Sequence, residues 1–236
     1  MGERQLRRED CLYIQFARAP RAGAVKTRML PHLDPRAACE LHCELLAYTA
    51  QQLRRLGSQP RELWIAGNLA HPWLRQVAEY YGIALRLQRG ADLGERMLHA
   101  LRDGLSRHQR VVLVGSDCPE LDVAYLRDAA SRLQRSDMIW GPAQDGGYVL
   151  VGARRAAAPC FRGVHWGSAE VMAQTLERAR ECDVSISLLP QRVDIDRPED
   201  LVRWHSLRDQ FMLTEAGSGT TGGLLAQGLR LCGGGD

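Results

Sequence analysis

Lysine is nearly absent from this chain. Of 31 Lys and Arg residues only Lys26 is a lysine. Drift in composition accounts for the arginine equally well, but a lone ammonium among arginines marks the glycine-bearing loop that carries it. Charge of one sign is not in excess either: 31 basic against 28 acidic residues leave a formal +3, too little to argue for a nucleic-acid partner. No apolar run approaches the roughly 18 residues of a membrane span, and the start MGERQLRRED lacks an apolar h-region. We therefore expect a soluble, cytoplasmic protein. The cysteines, Cys11, Cys39, Cys43, Cys118, Cys160, Cys182 and Cys232, are odd in number and include no Cys-x-x-Cys pair. That argues against a secreted disulfide scaffold or a zinc ribbon and for reduced thiols. Cys39, His42 and Cys43 fall together on one expected helix, but no fourth metal ligand accompanies them.

What the chain does contain is regular alternation. Its 236 residues, 45% of them hydrophobic, suit one α/β domain. Leu12 to Phe16 reads as a first strand. Asp34 to Leu56 reads as a helix with Asp34 at the N-cap, Pro35 at N1, Gly57 just past its end, and an apolar stripe of Ala38, Leu41, Leu45 and Tyr48. The spacing then predicts a strand over Leu63 to Ala66, a helix over Pro72 to Tyr81 and a strand over Ile83 to Leu87. Asp92 and Glu95, in capping-box spacing, open a third helix. Beyond the strand at Val111, Asp122 caps a helix to Leu133, with Leu121 and Leu126 as its staple. Met138 to Trp140 and Tyr148 to Val151 flank a glycine turn at Asp145, Gly146 and Gly147. Ser168 is expected to cap a helix to about Arg180. Val184 to Leu189 and Arg192 to Ile195 follow as extended segments, and a last helix opens at Pro198. Repeated βα units predict a mostly parallel central sheet with helices on both faces. We expect an N-terminal extension over 1–10, the domain over 11–210 and a disordered tail over 211–236, whose last 22 residues hold eight glycines.

The run VVLVGSDCPEL, Val111 to Leu121, is the most telling local signal. A continuous Val/Leu stretch reads as a strand buried on both faces, and in open α/β sheets ligands gather where such strands end. Asp117 stands at that end. It suits a divalent cation, since Mg²⁺ takes one or two carboxylates with phosphate oxygens, and it equally suits a turn cap before the next helix. The first strand runs into ARAPRAGAVKTRML, with Gly23 near the middle and Arg18, Arg21, Lys26 and Arg28 around it. Successive backbone N–H groups in such a turn form an anion nest for a di- or triphosphate; a merely solvated basic loop is the alternative. It matches neither GxxxxGK[ST] nor GxGxxG.

Five segments in order, ARAPRAGAVKTRML, DLGERM (92–97), GSDCPEL (115–121), QDGGYVLVG (144–152) and VDIDRPEDL (193–201), resemble a bacterial family of GT-A-like transferases. That family, long known only as a domain of unknown function, is assigned to the glycosyltransferases and includes members linked to arsenosugar biosynthesis. It is similar to the wider nucleotide-diphospho-sugar transferase superfamily, with the molybdenum cofactor and 2-phospholactate guanylyltransferases. The resemblance covers about residues 10 to 208 and implies a GT-A-like fold. It implies that Ala19, Gly23, Lys26 and Arg28 wrap the nucleotide phosphates, Lys26 also neutralising charge during transfer. It implies that Asp92, Gly94 and Arg96 approach the base and ribose, although Asp92 also reads as a plain helix cap. Asp117 would hold Mg²⁺ or Mn²⁺.

Two departures stand out. The frequent Asp-x-Asp is here Ser116, Asp117, Cys118, so a second carboxylate must come from elsewhere, and Asp194 and Asp196 are the candidates. Asp196 equally reads as the cap of the helix at Pro198. Arg197 stands where the family more usually has threonine. On the acceptor side, Asp145 is the candidate base for an acceptor hydroxyl, or simply part of a tight turn. His165 and Trp166 could wall an acceptor, or only pack. The resulting expectation is a metal-dependent glycosyltransferase acting on a nucleotide-sugar donor and a small-molecule acceptor. The alternatives are a nucleotidyltransferase using a nucleoside triphosphate and releasing pyrophosphate, and a non-catalytic nucleotide-binding protein.

Overall fold

The structure, a computed structural model, describes residues 11–216. The extension over 1–10 and the tail from 217 onward lie outside the described residues. Seven strands, β1 (Cys11–Arg18), β2 (Arg61–Ala66), β3 (Ala84–Leu87), β4 (Arg110–Val114), β5 (Met138–Pro142), β6 (Tyr148–Ala153) and β7 (Ile186–Leu188), form one sheet in the order β3-β2-β1-β4-β6-β5-β7. Every pairing is parallel except those of β6, which runs against both β4 and β5. The expected mostly parallel sheet is what forms.

Among the described residues six α-helices cover it: α1 (Pro35–Arg54), α2 (Pro72–Tyr81), α3 (Leu93–Leu105), α4 (Val123–Arg132), α5 (Val171–Arg180) and α6 (Leu201–Ala216). β1 shows how the layers divide. Its even residues Leu12, Ile14 and Phe16 pack with Met97 and Leu101 of α3 and Ala179 of α5, while Tyr13 and Ala17 join clusters that include Leu45 and Leu53 of α1, Trp73 of α2, Leu126 of α4 and Trp204 of α6. The period-two alternation of a strand buried on both faces thus sorts helices to the two sides. No described helix is long and apolar enough to cross a membrane.

The expected caps form. Asp34, Asp92 and Asp122 accept from the backbone N–H groups of Ala37, Glu95 and Tyr125 at 2.8, 2.8 and 2.7 Å. Three expectations change. Ser168 does not cap α5, which starts after Glu170; its hydroxyl instead donates to the His165 carbonyl at 2.9 Å and accepts from Glu170 N–H at 3.3 Å. Arg192 to Ile195 contributes one bridge, Ala143 to Arg192, and no strand. The last helix begins as a 3-10 turn at Pro198–Asp200 and runs on past residue 210 to Ala216.

The topology locates the site. β1 has β2 on one side and β4 on the other, so chain crossovers leave it in opposite directions and a crevice opens beyond the ends of β1 and β4. The β5–β6 turn reaches the same edge, because a hairpin closes where its first strand ends.

Candidate active site

The loop leaving β1 turns at Gly23 (φ 75°) and again at Lys26 (φ 50°), the one non-glycine described residue with a left-handed backbone. Such a conformation costs about 1–3 kcal/mol, and here it delivers an ammonium into the crevice. Lys26 Nζ lies 2.7 Å from Asp117 Oδ1 and donates to the Ile195 carbonyl. The lysine side chain is only 3% exposed and that of Asp117 is 46% exposed. Oδ1 itself is out of contact with solvent, so the open part of Asp117 is the rest of its carboxylate. Burial alone would raise the Asp117 pKa; the charges of Lys26, His42 and Arg18 outweigh it and hold the carboxyl below its ordinary range. Asp117 does not act as a cap, a role taken by Asp122.

Asp117 is held firmly from behind. Gln15, fully buried in β1, donates to Ser116 Oγ at 2.9 Å and to the Leu46 carbonyl at 3.0 Å, and Ser116 Oγ donates to the Phe16 carbonyl at 2.9 Å. Ile195 N–H donates to the Asp117 carbonyl at 2.7 Å, which docks the 193–197 segment on the end of β4. That contact brings residues 77 or more apart in sequence to one place.

Asp196 pairs with Arg28 and caps nothing; Asp200 takes the backbone N–H groups of Asp196 and Arg197 at 3.0 and 2.7 Å. Among the described residues Asp194 forms no ion pair, although it lies near enough to Arg28 to raise that guanidinium's pKa. Burial, and then the charges of Asp145, Asp117 and Asp196, push its pKa up to about 6. Asp145 Oδ1 accepts from Gly147 N–H at 2.9 Å, so the tight-turn role is real, yet the same carboxylate faces Asp194 closely enough to perturb it. Gly146 is needed here. A Cβ on it would sit 2.0 Å from the Ala169 carbonyl oxygen, and its own carbonyl accepts from Met172 N–H at 2.8 Å, docking the turn on the start of α5.

The crevice has two compartments. One, of about 540 Å³, is lined by Arg18, Lys26, Arg28, His42, Arg96 and Asp117; the other, of about 350 Å³, by Asp145, Asp194, Asp196, Arg197 and Ser168. They share Arg28 and Asp196, so the ion pair stands on the boundary between a cationic and an acidic half. A larger hollow of about 840 Å³ lies at the opposite edge, around Cys11, Arg110 and Arg154. It is lined by no carboxylate and sits at strand starts.

Other expected residues fall outside these compartments. Ala19 continues the β1–β2 pairing, its N–H donating to the Ala66 carbonyl at 2.9 Å, and Gly23 is exposed on the loop. Asp92 caps α3. Gly94 is buried where a Cβ would meet Trp166 at 2.4 Å, which explains its being glycine without a ligand. Trp166 packs edge-on against Tyr148, and His165 turns toward Gln174; the wall of the acidic half is made by Gly167, Ser168 and Ala169 instead. His42, which holds the Arg18 carbonyl at 3.0 Å, and Gln15 were not expected in the site. A glutamine inside the apolar run of β1 was the available signal for the second.

The donor set fits a divalent cation. Asp117, through the oxygen that Lys26 leaves open, and Asp194, which burial and neighbouring carboxylates hold toward its neutral form, would offer two hard oxygen donors, and phosphate and water oxygens would complete the shell. Among the described residues no three His, Cys, Asp or Glu side chains gather as a metal-holding group, so the protein alone supplies only part of that shell.

Comparison with known proteins places this architecture among the nucleotide-diphospho-sugar transferases, a class of transferase enzymes. The chain belongs to the bacterial family described as "Uncharacterized protein conserved in bacteria" (DUF2064), whose model matches residues 49–168. A crystal structure from Desulfovibrio desulfuricans G20, assigned to the nucleotide-diphospho-sugar transferases, is 31% identical, covers 79% of this chain and 82% of its own, and superposes with a TM-score of 0.72. The 4-diphosphocytidyl-2C-methyl-D-erythritol synthase of Anaerococcus prevotii shares the fold at 9% identity, with a TM-score of 0.56 over 87% of this chain and 96% of its own. So does a Mycobacterium tuberculosis H37Rv protein in complex with manganese, at 17% identity and a TM-score of 0.53 over 82% and 97%. No curated protein matches the chain.

Proposed function

We propose that this transferase is a metal-dependent glycosyltransferase acting on a nucleotide-sugar donor. The observation that carries the reading is the junction of the two compartments at Arg28 and Asp196, with cations on one side and on the other the Asp145 carboxylate, whose Oδ1 accepts from Gly147 N–H within its own turn. The donor diphosphate lies along Arg18, Lys26 and Arg28, and Leu93 and Arg96 face its nucleoside end. The acceptor hydroxyl enters beside Asp145, which takes its proton as the oxygen bonds to the anomeric carbon. The sugar–phosphate bond breaks, and the nucleoside diphosphate leaves with the electron pair, its charge met by Lys26 and Arg28. Mg²⁺ or Mn²⁺ held by Asp117 and Asp194 would supply further charge neutralisation at the diphosphate; the manganese complex of the mycobacterial neighbour supports this.

A second reading is nucleotidyl transfer, favoured by the density of cations at the exit of β1, which suits a pyrophosphate leaving group equally well. A thermal-shift screen of UDP-, GDP-, ADP- and dTDP-sugars and of nucleoside triphosphates, each with and without Mn²⁺, tests both. The true ligand at about 100 times its Kd should stabilise the fold by about 2.7 kcal/mol, and Asp117→Ala should abolish the metal-dependent part. Product analysis then separates a released nucleoside diphosphate from pyrophosphate. No stabilisation by any ligand, together with an Asp117→Ala variant indistinguishable from wild type, would sink the reading.

A further inference from the structure

Gln88 follows directly on β3, and its backbone N–H donates to the Ile65 carbonyl at 3.0 Å, carrying the β2–β3 pairing one residue past Leu87. Its side chain then reaches back across the strand ends. The amide nitrogen donates to the Trp64 carbonyl of β2 at 2.8 Å and to the Ala17 carbonyl of β1 at 3.1 Å. A primary amide has two N–H donors and one carbonyl acceptor, so both donors are spent. Its orientation is fixed as well, because a flipped amide would turn its oxygen onto two carbonyl oxygens. What remains is Oε1, to which nothing among the described residues donates. Gln88 lines the cationic compartment together with Arg96 and with Leu93, the first residue of α3, which stays 44% exposed. A fixed acceptor and an apolar face thus share the β2 side of the compartment, with Asp117 on the β4 side.

Resting on the reading of the cleft as a nucleotide-phosphate site, we propose that Gln88 reads the nucleobase and sorts keto bases from amino bases. With the phosphates on Lys26 and Arg28, the base reaches the β2 side, lies on Leu93 and turns its polar edge to Oε1. Glutamine elsewhere serves either kind of edge by rotating its amide; here the two strand carbonyls forbid it. Oε1 therefore demands an N–H. Uracil and cytosine carry opposite groups at positions 3 and 4, N–H and carbonyl against bare nitrogen and amino, as guanine and adenine do at 1 and 6. Whichever of these positions meets Oε1, one class donates to it and the other sets a lone pair against it. A site with such an acceptor rejects the wrong base because its polar groups are then left unpaired. The competing view is that the Gln88 amide only laces β3 to β2 and β1.

Calorimetry on the full-length protein with Mg²⁺ compares bases of equal size, UDP with CDP and GDP with ADP, beside inorganic pyrophosphate, which has no base. In each size pair that binds, one class should bind about tenfold or more tightly than the other. Gln88→Met keeps the reach of the side chain and removes the acceptor. In it that preference should shrink to under about threefold, while pyrophosphate affinity stays within about twofold of wild type. Wild type binding both classes alike overturns the proposal, and pyrophosphate binding then still upholds the cleft. So does a folded Gln88→Met that keeps its preference, or that weakens pyrophosphate and nucleotides alike, since the amide is then a strand tie. If neither pyrophosphate nor any nucleoside diphosphate binds, both readings fall together. Should Gln88→Met fail to fold, wild type is titrated with its preferred base methylated at the distinguishing N–H: a loss of about tenfold upholds base reading, and an unchanged affinity overturns it.

Discussion

Asp194 is a carboxylate whose surroundings oppose its charge. With its pKa at about 6 against an ordinary 3.8, the folded protein keeps a proton between about pH 4 and 6 that the unfolded chain has released. Stability therefore falls as pH rises through that window. Asp194→Asn removes the loss: in metal-free buffer it should be more stable than wild type at pH 7 by about 1–2 kcal/mol after solvent screening, and equal to it below about pH 4. Urea unfolding at the two pH values measures this, and an equal effect at both would refute it. Asp117 runs the other way. Its depressed pKa contributes stability at neutral pH that is lost as pH falls through the folded value. The two carboxylates thus act on stability in opposite directions as pH changes.

At the scale of elements, the β5–β6 hairpin decides what meets what. Its turn holds Asp145 beside Asp194 only because Gly146 lets Ala169 approach. Gly146→Ala, at φ 90° and with backbone in the way, should cost about 2–4 kcal/mol, seen as a lowered unfolding midpoint, and activity should fall further than Tm alone explains. A variant with the wild-type midpoint would show that the docking is dispensable. The same hairpin shows how far the sequence could be read. Strands, helices and the caps Asp34, Asp92 and Asp122 were legible, since local hydrogen bonding and periodicity specify them. The crevice was legible from the abrupt end of VVLVG at Asp117. The pairing of Asp196 with Arg28 was not, because residues 168 apart meet through backbone docking that no local pattern encodes. Nor was it visible that Trp166 turns to Gly94, a contact fixed by α3 packing rather than by either residue's neighbours in sequence.

At the scale of the whole molecule, α6 closes the fold against α1. Glu44, buried, accepts from Trp204 Nε1 at 3.1 Å and from Arg208 at 2.6 and 2.7 Å, and this clamp anchors the chain immediately after the 193–197 segment. Arg208→Ala leaves Glu44 with the indole alone and should cost about 1–3 kcal/mol, measured by thermal unfolding; a change of under about 0.5 kcal/mol would mean that the indole suffices. The enclosure of Lys26 also sets its reactivity. Apart from a chain-terminal amine, the chain offers reagents selective for primary amines one target, and that side chain is 3% exposed behind an ion pair. Amine chemistry that leaves its mark on most proteins indiscriminately would here report on one event, the exposure of that ammonium.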